Sequence, residues 1–225
     1  QHSWSSVDGL LGGLLPCLYF GRPIVALDGH FSTRQTIECL HKYKVSNISL
    51  PCSSLRAVME EPQPDLGSLS VRAIMSTGEH PSGQVYEWYA NTLGLTPNHV
   101  YGQTEAPYIV GHSHARWPAR PGSMGKPFPG HLVTVLDEAG RPCPAGIIGQ
   151  IAVNRYDIHG FPAPALFLSY WQDETSTQQP FLRDWYLTGE HASIDRDGYF
   201  WYTGHQSDIE SQPAANSNGS VSLSL

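Results

Sequence analysis

The feature that most limits what this chain can become is the alternation of short apolar runs with helical segments over its first hundred residues. Residues 4–20 place Trp4, Leu10, Leu11, Leu14, Leu15, Leu18 and Tyr19 at helical spacing, which predicts a buried amphipathic helix whose glycines pack closely. The turn Gly21-Arg22-Pro23 leads into residues 24–27, an Ile-Val-Ala-Leu run typical of a buried parallel strand. A helix over 31–43, with Ser32 or Thr33 as N-cap, precedes a strand over 45–50 that Pro51 ends. A helix over 53–60, a Pro-rich connection over 61–68, a strand over 71–75, a helix over 84–93 and a strand over 99–101 continue the series. Such alternation builds a parallel sheet with crossover helices, and each strand-to-helix junction is a potential ligand loop.

The pattern changes near residue 115. Residues 116–130 are rich in Pro and Gly, and the later apolar runs alternate as half-buried antiparallel strands do. These runs cover 131–136, 147–154, 185–187, 192–194 and 199–202, the last two flanking the hairpin signal Asp195-Arg196-Asp197-Gly198. The expected architecture is therefore α/β: a parallel-sheet α/β subdomain over 1–115, a small β-rich subdomain over 116–209, and a disordered tail over 210–225, which is polar, small and aperiodic.

Composition narrows the function. Hydrophobic residues make up 40% and charged residues 15%, a globular balance, and a net charge of -7 opposes a nucleic-acid surface, which needs a basic stripe. No apolar run approaches a membrane span. Residues 1–6 show neither an initiating Met nor a secretory pattern and read as the interior of a longer sequence. Cys17, Cys39, Cys52 and Cys143 lie far apart and read as buried small residues in a reducing compartment, so the expected location is cytoplasmic.

The chemistry concentrates in Tyr101-Gly102-Gln103-Thr104-Glu105. Gly102 permits a sharp turn after the strand over 99–101, and that turn delivers a hydroxyl (Thr104) and a carboxylate (Glu105) side by side at a strand end. The pair suits a phosphate–Mg²⁺ group, because Mg²⁺ takes oxygen ligands and shares them with substrate phosphates. Around it stand Ser76-Thr77-Gly78-Glu79, Gly122-Ser123-Met124-Gly125-Lys126-Pro127 and Trp185-Tyr186-Leu187-Thr188-Gly189-Glu190.

In this order the segments resemble the adenylate-forming superfamily, and within it the AMP-forming acyl-CoA synthetases of the acetyl-CoA-synthetase-like and medium-chain kind. The resemblance runs from residue 4 to about 209 and includes the stretches LPCLYFGRP, RPGSMGKPFPG and DGYFWYTG. It implies an enzyme that joins a small carboxylic acid to ATP, releasing pyrophosphate, and then passes the acyl group from AMP to the thiol of CoA. ATP, Mg²⁺ and CoA are the implied cofactor and co-substrates. It further implies that Gly78, Glu79 and His80 form the loop beside the adenine, that Tyr101 stacks near it, and that Gly102 and Gln103 line the nucleotide and acyl pocket. Thr104 would bond the α-phosphate, Glu105 would hold Mg²⁺, and Trp4 or Ser6 would reach the acyl group.

Two places depart from that family. Its Thr-Gly-Asp, whose carboxylate grips the ribose, is here Thr188-Gly189-Glu190; its hinge Gly-Arg-x-Asp-Asp is here Gly204-His205-Gln206-Ser207-Asp208. Glu190 and His205 are then the ribose and phosphate candidates, and a neutral imidazole does not replace a guanidinium. The family's phosphate loop with its lysine, and the C-terminal domain with a second lysine, are not among these 225 residues. The polypeptide alone is therefore expected to be inactive or nearly so. The alternative is a non-catalytic nucleotide-binding or protein-interaction relic; luciferase-like, aryl-CoA and peptide-synthetase adenylation chemistries remain sibling readings. His112-Ser113-His114 reads as structural or exposed, and Asp195 and Asp197 as a hairpin tip.

Overall fold

Strand–helix alternation becomes a mixed sheet, and the change of pattern after it becomes a second, antiparallel one. The computed structural model describes residues 3–205 except Asp28, Gln63 and His80, with His205 in its backbone alone; the expected tail, with Ser207 and Asp208, lies outside the described residues.

The chain enters through α1 (Val7–Gly9), a π-helical turn Leu10–Leu14 and α2 (Leu15–Tyr19). It continues with α3 (Thr33–Lys42), β1 (Asn47–Pro51), α4 (Cys52–Glu60), β2 (Ala73–Thr77), α5 (Gly83–Leu93) and β3 (Asn98–Tyr101). Strands β1, β2 and β3 are parallel neighbours, and β4 (Val110–Gly111) and β5 (Lys126–Pro127) extend the same sheet antiparallel. The second sheet has the order β10-β9-β7-β6, with β8 (Phe181–Leu182) on β9 and α6 (Glu174–Gln178) before it. Its strands are β6 (Val133–Leu136), β7 (Ile148–Asn154), β9 (Trp185–Ile194) and β10 (Phe200–His205).

Local signals account for most boundaries. Ser32 caps α3 by accepting the Gln35 N–H at 3.4 Å, and Thr36, Ile37 and Leu40 fall on its buried face. Helix α5 buries Val85, Tyr86 and Tyr89 and stops at Gly94, whose left-handed backbone closes the helix. One core gathers Leu50, Leu55, Val58, Ile74, Val85 and Tyr89 between the parallel strands and their helices. The other joins Ala106, Ile109 and Val110, just after β3, to Val135, Ile151, Val153, Tyr186 and Phe200 of the antiparallel sheet. That second core fastens the stretch behind Thr104 and Glu105 to β7 and β9.

Four expectations change. Residues 24–27 form no strand, and Ile24 and Val25 are exposed: an apolar run becomes a strand only where a neighbouring ladder accepts its backbone groups. The first helix is not buried, since Leu10, Leu11, Leu15, Leu18 and Tyr19 are exposed, while Gly12 lies close against Tyr108 and Met75. The runs over 185–187 and 192–194 are one strand, because a bulge carries the intervening residues along the β7 ladder. Among the cysteines only Cys52 is buried; the other three are half-buried, and all four are free.

Candidate active site

Parallel pairing of β2 and β3 sets Met75 opposite Asn98 and Ser76 opposite His99, so both strands run out at one edge of the sheet. The segments through Gly78 and through Gly102 therefore leave from neighbouring strand ends, the position at which open α/β sheets hold ligands. Ser76 and His99 are buried beneath this edge, 3.1 Å apart at Oγ and Nδ1.

After β3 the chain turns at once. The Gln103 N–H donates to the Ala106 carbonyl and the Ala106 N–H to the Gln103 carbonyl, both at 3.1 Å. Gly102 is required here for lack of space: a Cβ would stand 2.6 Å from Ala106 O and 2.9 Å from Pro107 C. The turn leaves the Thr104 side chain exposed and without a hydrogen bond among the described residues, while Glu105 is half-buried.

The Gln103 amide ties this turn to the antiparallel sheet. Its Nε2 donates to the Thr188 carbonyl at 2.8 Å, and its Oε1 accepts from the Tyr186 hydroxyl at 3.0 Å. Thr188 sits in the bulge of β9: Leu187 pairs with Ala152 and His191 with Gln150, so Thr188, Gly189 and Glu190 together oppose Ile151. Gly189, at φ 77°, supplies the left-handed residue that the bulge needs. The Thr188 hydroxyl donates to Ile151 O at 3.0 Å and accepts the Glu190 N–H at 3.2 Å. Glu190 lies near Tyr101, whose buried phenol is pushed well above its ordinary pKa, first by desolvation and then by the Glu190 charge. Although Thr188 is its polar neighbour, the Tyr101 hydroxyl makes no well-aligned hydrogen bond.

Glu105 is held from the other side. The Tyr170 hydroxyl donates to its Oε1, and the Phe167 N–H donates to its backbone carbonyl at 2.7 Å. The bond to Glu105 is the main reason that the Tyr170 pKa is raised. Phe167 stands in an aromatic group with Tyr170, Phe181 and Tyr186, at centroid distances of 5.0, 6.2 and 5.7 Å. Thr104 borders an open cavity of about 490 Å³ with Leu11, Tyr108, His131, Leu166 and Phe167. Burial holds the His131 pKa below the usual imidazole value, and its Nδ1 is buried without a partner. Asp8 braces the rim, accepting the Thr77 hydroxyl at 3.0 Å and the Tyr108 hydroxyl at 3.1 Å.

Of the residues singled out in the sequence, Tyr101, Gln103 and Glu190 are brought together around the bulge, with Gly102, Thr104 and Glu105 on the adjoining turn. Gly78 is exposed at φ 81°, and Glu79 faces Arg56 of α4 at 3.7 Å, an exposed pair of small energetic weight. His80 lies outside the described residues; His205 pairs through its backbone with Glu190, and its side chain lies outside the description. Neither Trp4 nor Ser6 borders the Thr104 cavity; Leu11 is the residue of the first helix that does. Tyr170, Tyr186 and Asp8 were not legible in advance, because their partners are 65 to 100 residues away in sequence and residues 157–183 follow no helical or strand period.

The His112-Ser113-His114 stretch divides between core and surface. His112 is buried between Tyr86 and Ser123, at 3.3 Å from each, whereas His114 is exposed. Among the described residues no group of three or more His, Cys, Asp or Glu could hold a metal ion by itself. Asp195 and Asp197 both bind Arg120, at 2.8 and 2.6 Å, and Arg120 stacks over Tyr199 at 4.1 Å. No described helix is long and apolar enough to cross a membrane.

The family model described as AMP-binding enzyme matches residues 6–160. The uncharacterized acyl–CoA ligase YtcI of Bacillus subtilis is 31% identical over 208 residues, covering 92% of this chain and 36% of that protein. The mitochondrial acyl-coenzyme A synthetase ACSM3 of Mus musculus is 32% identical over 182 residues, covering 80% of this chain and 30% of that protein. The crystal structure of a Brucella canis acyl-CoA synthetase superposes with a TM-score of 0.81 at 25% identity, over 91% of this chain and 37% of that one. The chain thus spans about a third of the length of the relatives it matches.

Proposed function

Because the chain belongs to the AMP-binding enzyme family, we propose that it carries the nucleotide station of an ATP-dependent carboxylic acid–CoA ligase. The reaction is acid plus ATP to acyl-adenylate and pyrophosphate, then acyl-CoA and AMP. The observation that carries this reading is the Gln103 bridge, which joins the turn bearing Thr104 and Glu105 to the bulge bearing Glu190.

In this reading the free Thr104 hydroxyl donates to the α-phosphate, Tyr101 packs beside the adenine, Gly78 and Glu79 line its loop, and Glu190 accepts from the ribose hydroxyls. Glu105 presents one oxygen to Tyr170 and keeps the other without a hydrogen bond among the described residues, so its hard oxygen suits Mg²⁺. When bound there, Mg²⁺ would neutralise charge on the phosphate oxygens. The residues of the chain fix positions: the Thr188 hydroxyl holds the bulge in register, and Gln103 keeps turn and bulge at one spacing. The groups gathered at the station are hydroxyls, amides and carboxylates, which supply no positive charge to a polyphosphate. By themselves these 225 residues therefore run ATP–pyrophosphate exchange more than tenfold below a full-length relative. Exchange at or above that level refutes this part of the proposal.

One observation favours a second reading, a nucleotide-binding module without chemistry. Glu190 carries one methylene more than the family's aspartate, and errors near 1 Å at a reacting centre can slow a reaction by ~100-fold. Calorimetry with ATP and with a non-hydrolysable acyl-adenylate analogue, followed by the exchange assay, separates the two. Binding with measurable exchange supports the ligase core, binding without exchange supports the module, and no binding of either compound refutes both.

A further inference from the structure

We propose that Tyr170 is a positioning residue for the Glu105 carboxylate, setting the side chain in the orientation from which it takes a divalent cation; this rests on the ligase-core reading above. The phenol donates to Glu105 Oε1, and Oε2 stays without a hydrogen bond among the described residues. A carboxylate has about four lone-pair sites, so one donor orients the group and leaves room for a cation. Groups that hydrogen-bond a metal-ligating carboxylate act in this way, by fixing its direction.

Tyr170, 39% exposed, is itself held in place. Its N–H donates to Thr177 Oγ1 at 2.9 Å, and the Thr177 hydroxyl donates to Asp173 O at 2.6 Å. Asp173 also caps α6, accepting the Ser176 N–H at 2.9 Å. The ring lies 5.0 Å from that of Phe167, whose N–H is bonded to the Glu105 backbone. The segment 167–170 is therefore fastened to Glu105 at both backbone and side chain. A tyrosine serving only to fill space would need the ring and not the hydroxyl.

The test is Tyr170→Phe, which keeps the ring and removes only the donor, with Tyr170→Ala as the variant that removes both. Calorimetry on the 225-residue chain measures ATP binding in EDTA and in Mn²⁺, with melting temperatures alongside. The gain in ATP affinity on adding Mn²⁺ falls about tenfold in Tyr170→Phe, while binding in EDTA matches the wild type and the melting temperature falls by about 1–6 °C, as the loss of one hydrogen bond requires. An unchanged gain in Tyr170→Phe overturns the proposal, as does a larger one, which would make the hydroxyl a competitor of the cation. Equal losses with and without Mn²⁺ also overturn it, by assigning Tyr170 a structural role. A wild-type chain whose ATP binding does not respond to Mn²⁺ overturns the reading of the site and this inference together.

Discussion

Replacing Gln103 by alanine tests whether the turn and the bulge are one unit. The substitution removes the bond to the Thr188 carbonyl at 2.8 Å and the bond from the Tyr186 hydroxyl at 3.0 Å. Each such bond contributes about 0.5–1.5 kcal/mol, and a buried polar group left unpaired costs about 1–3 kcal/mol. Tyr186 and Thr188 are 5% and 6% exposed, so water replaces the lost amide poorly. The expected destabilisation centres near 3 kcal/mol. At about 2–4 °C per kcal/mol for a chain of this size, the melting temperature falls by about 6–12 °C. Thermal unfolding followed by circular dichroism measures it. Gln103→Glu retains an acceptor for Tyr186 but sets an oxygen against the Thr188 carbonyl, so it too is less stable than the wild type. In a double-mutant cycle, Gln103→Ala and Tyr186→Phe show a coupling of about 0.5–1.5 kcal/mol. A fall below about 2 °C for Gln103→Ala, or additivity within the cycle, would refute the argument that this amide joins the two segments.

Gly102→Ala brings a methyl against the backbone of residues 106 and 107, an overpacking of about 1–3 kcal/mol, and chemical denaturation should show its midpoint lowered. The Asp195 carboxyl is an acid-sensitive point. Burial alone would raise its pKa, but the Tyr199 and Asp197 N–H groups, the Trp201 indole and Arg120 outweigh burial and leave it depressed. A depressed folded pKa gives stability that is complete above the unfolded carboxylate range and is lost as pH falls through the folded value. The gap in melting temperature between wild type and Asp195→Asn therefore narrows from pH 5 downward, and a constant gap contradicts the assignment. Glu190→Asp restores the shorter side chain that the family resemblance calls for and raises ATP affinity about tenfold, as read by calorimetry; unchanged affinity removes Glu190 from the nucleotide site.

Much of this protein can be read from local patterns. Ser32 or Thr33 before an apolar period predicts α3, and the Asp-Gly pair at 197–198 turns β9 into β10, because capping and turn chemistry depend on residues close in sequence. Thr104 and Glu105 on a turn at a strand end were legible for the same reason. Pairing was not. Residues 24–27 have the composition of a strand and no ladder to join, whereas the 188–190 segment interrupts an apolar run and still belongs to a strand, through a three-against-one bulge. The supports of the site were equally hidden, since Gln103 meets Thr188 across 85 residues and Glu105 meets Tyr170 across 65. The sequence by itself determined which elements could form and which side chains are candidates for chemistry. Only the tertiary structure decided which strand reaches which partner and which polar groups hold Glu105 and Gln103, because hydrogen bonds across such separations leave no period in the chain.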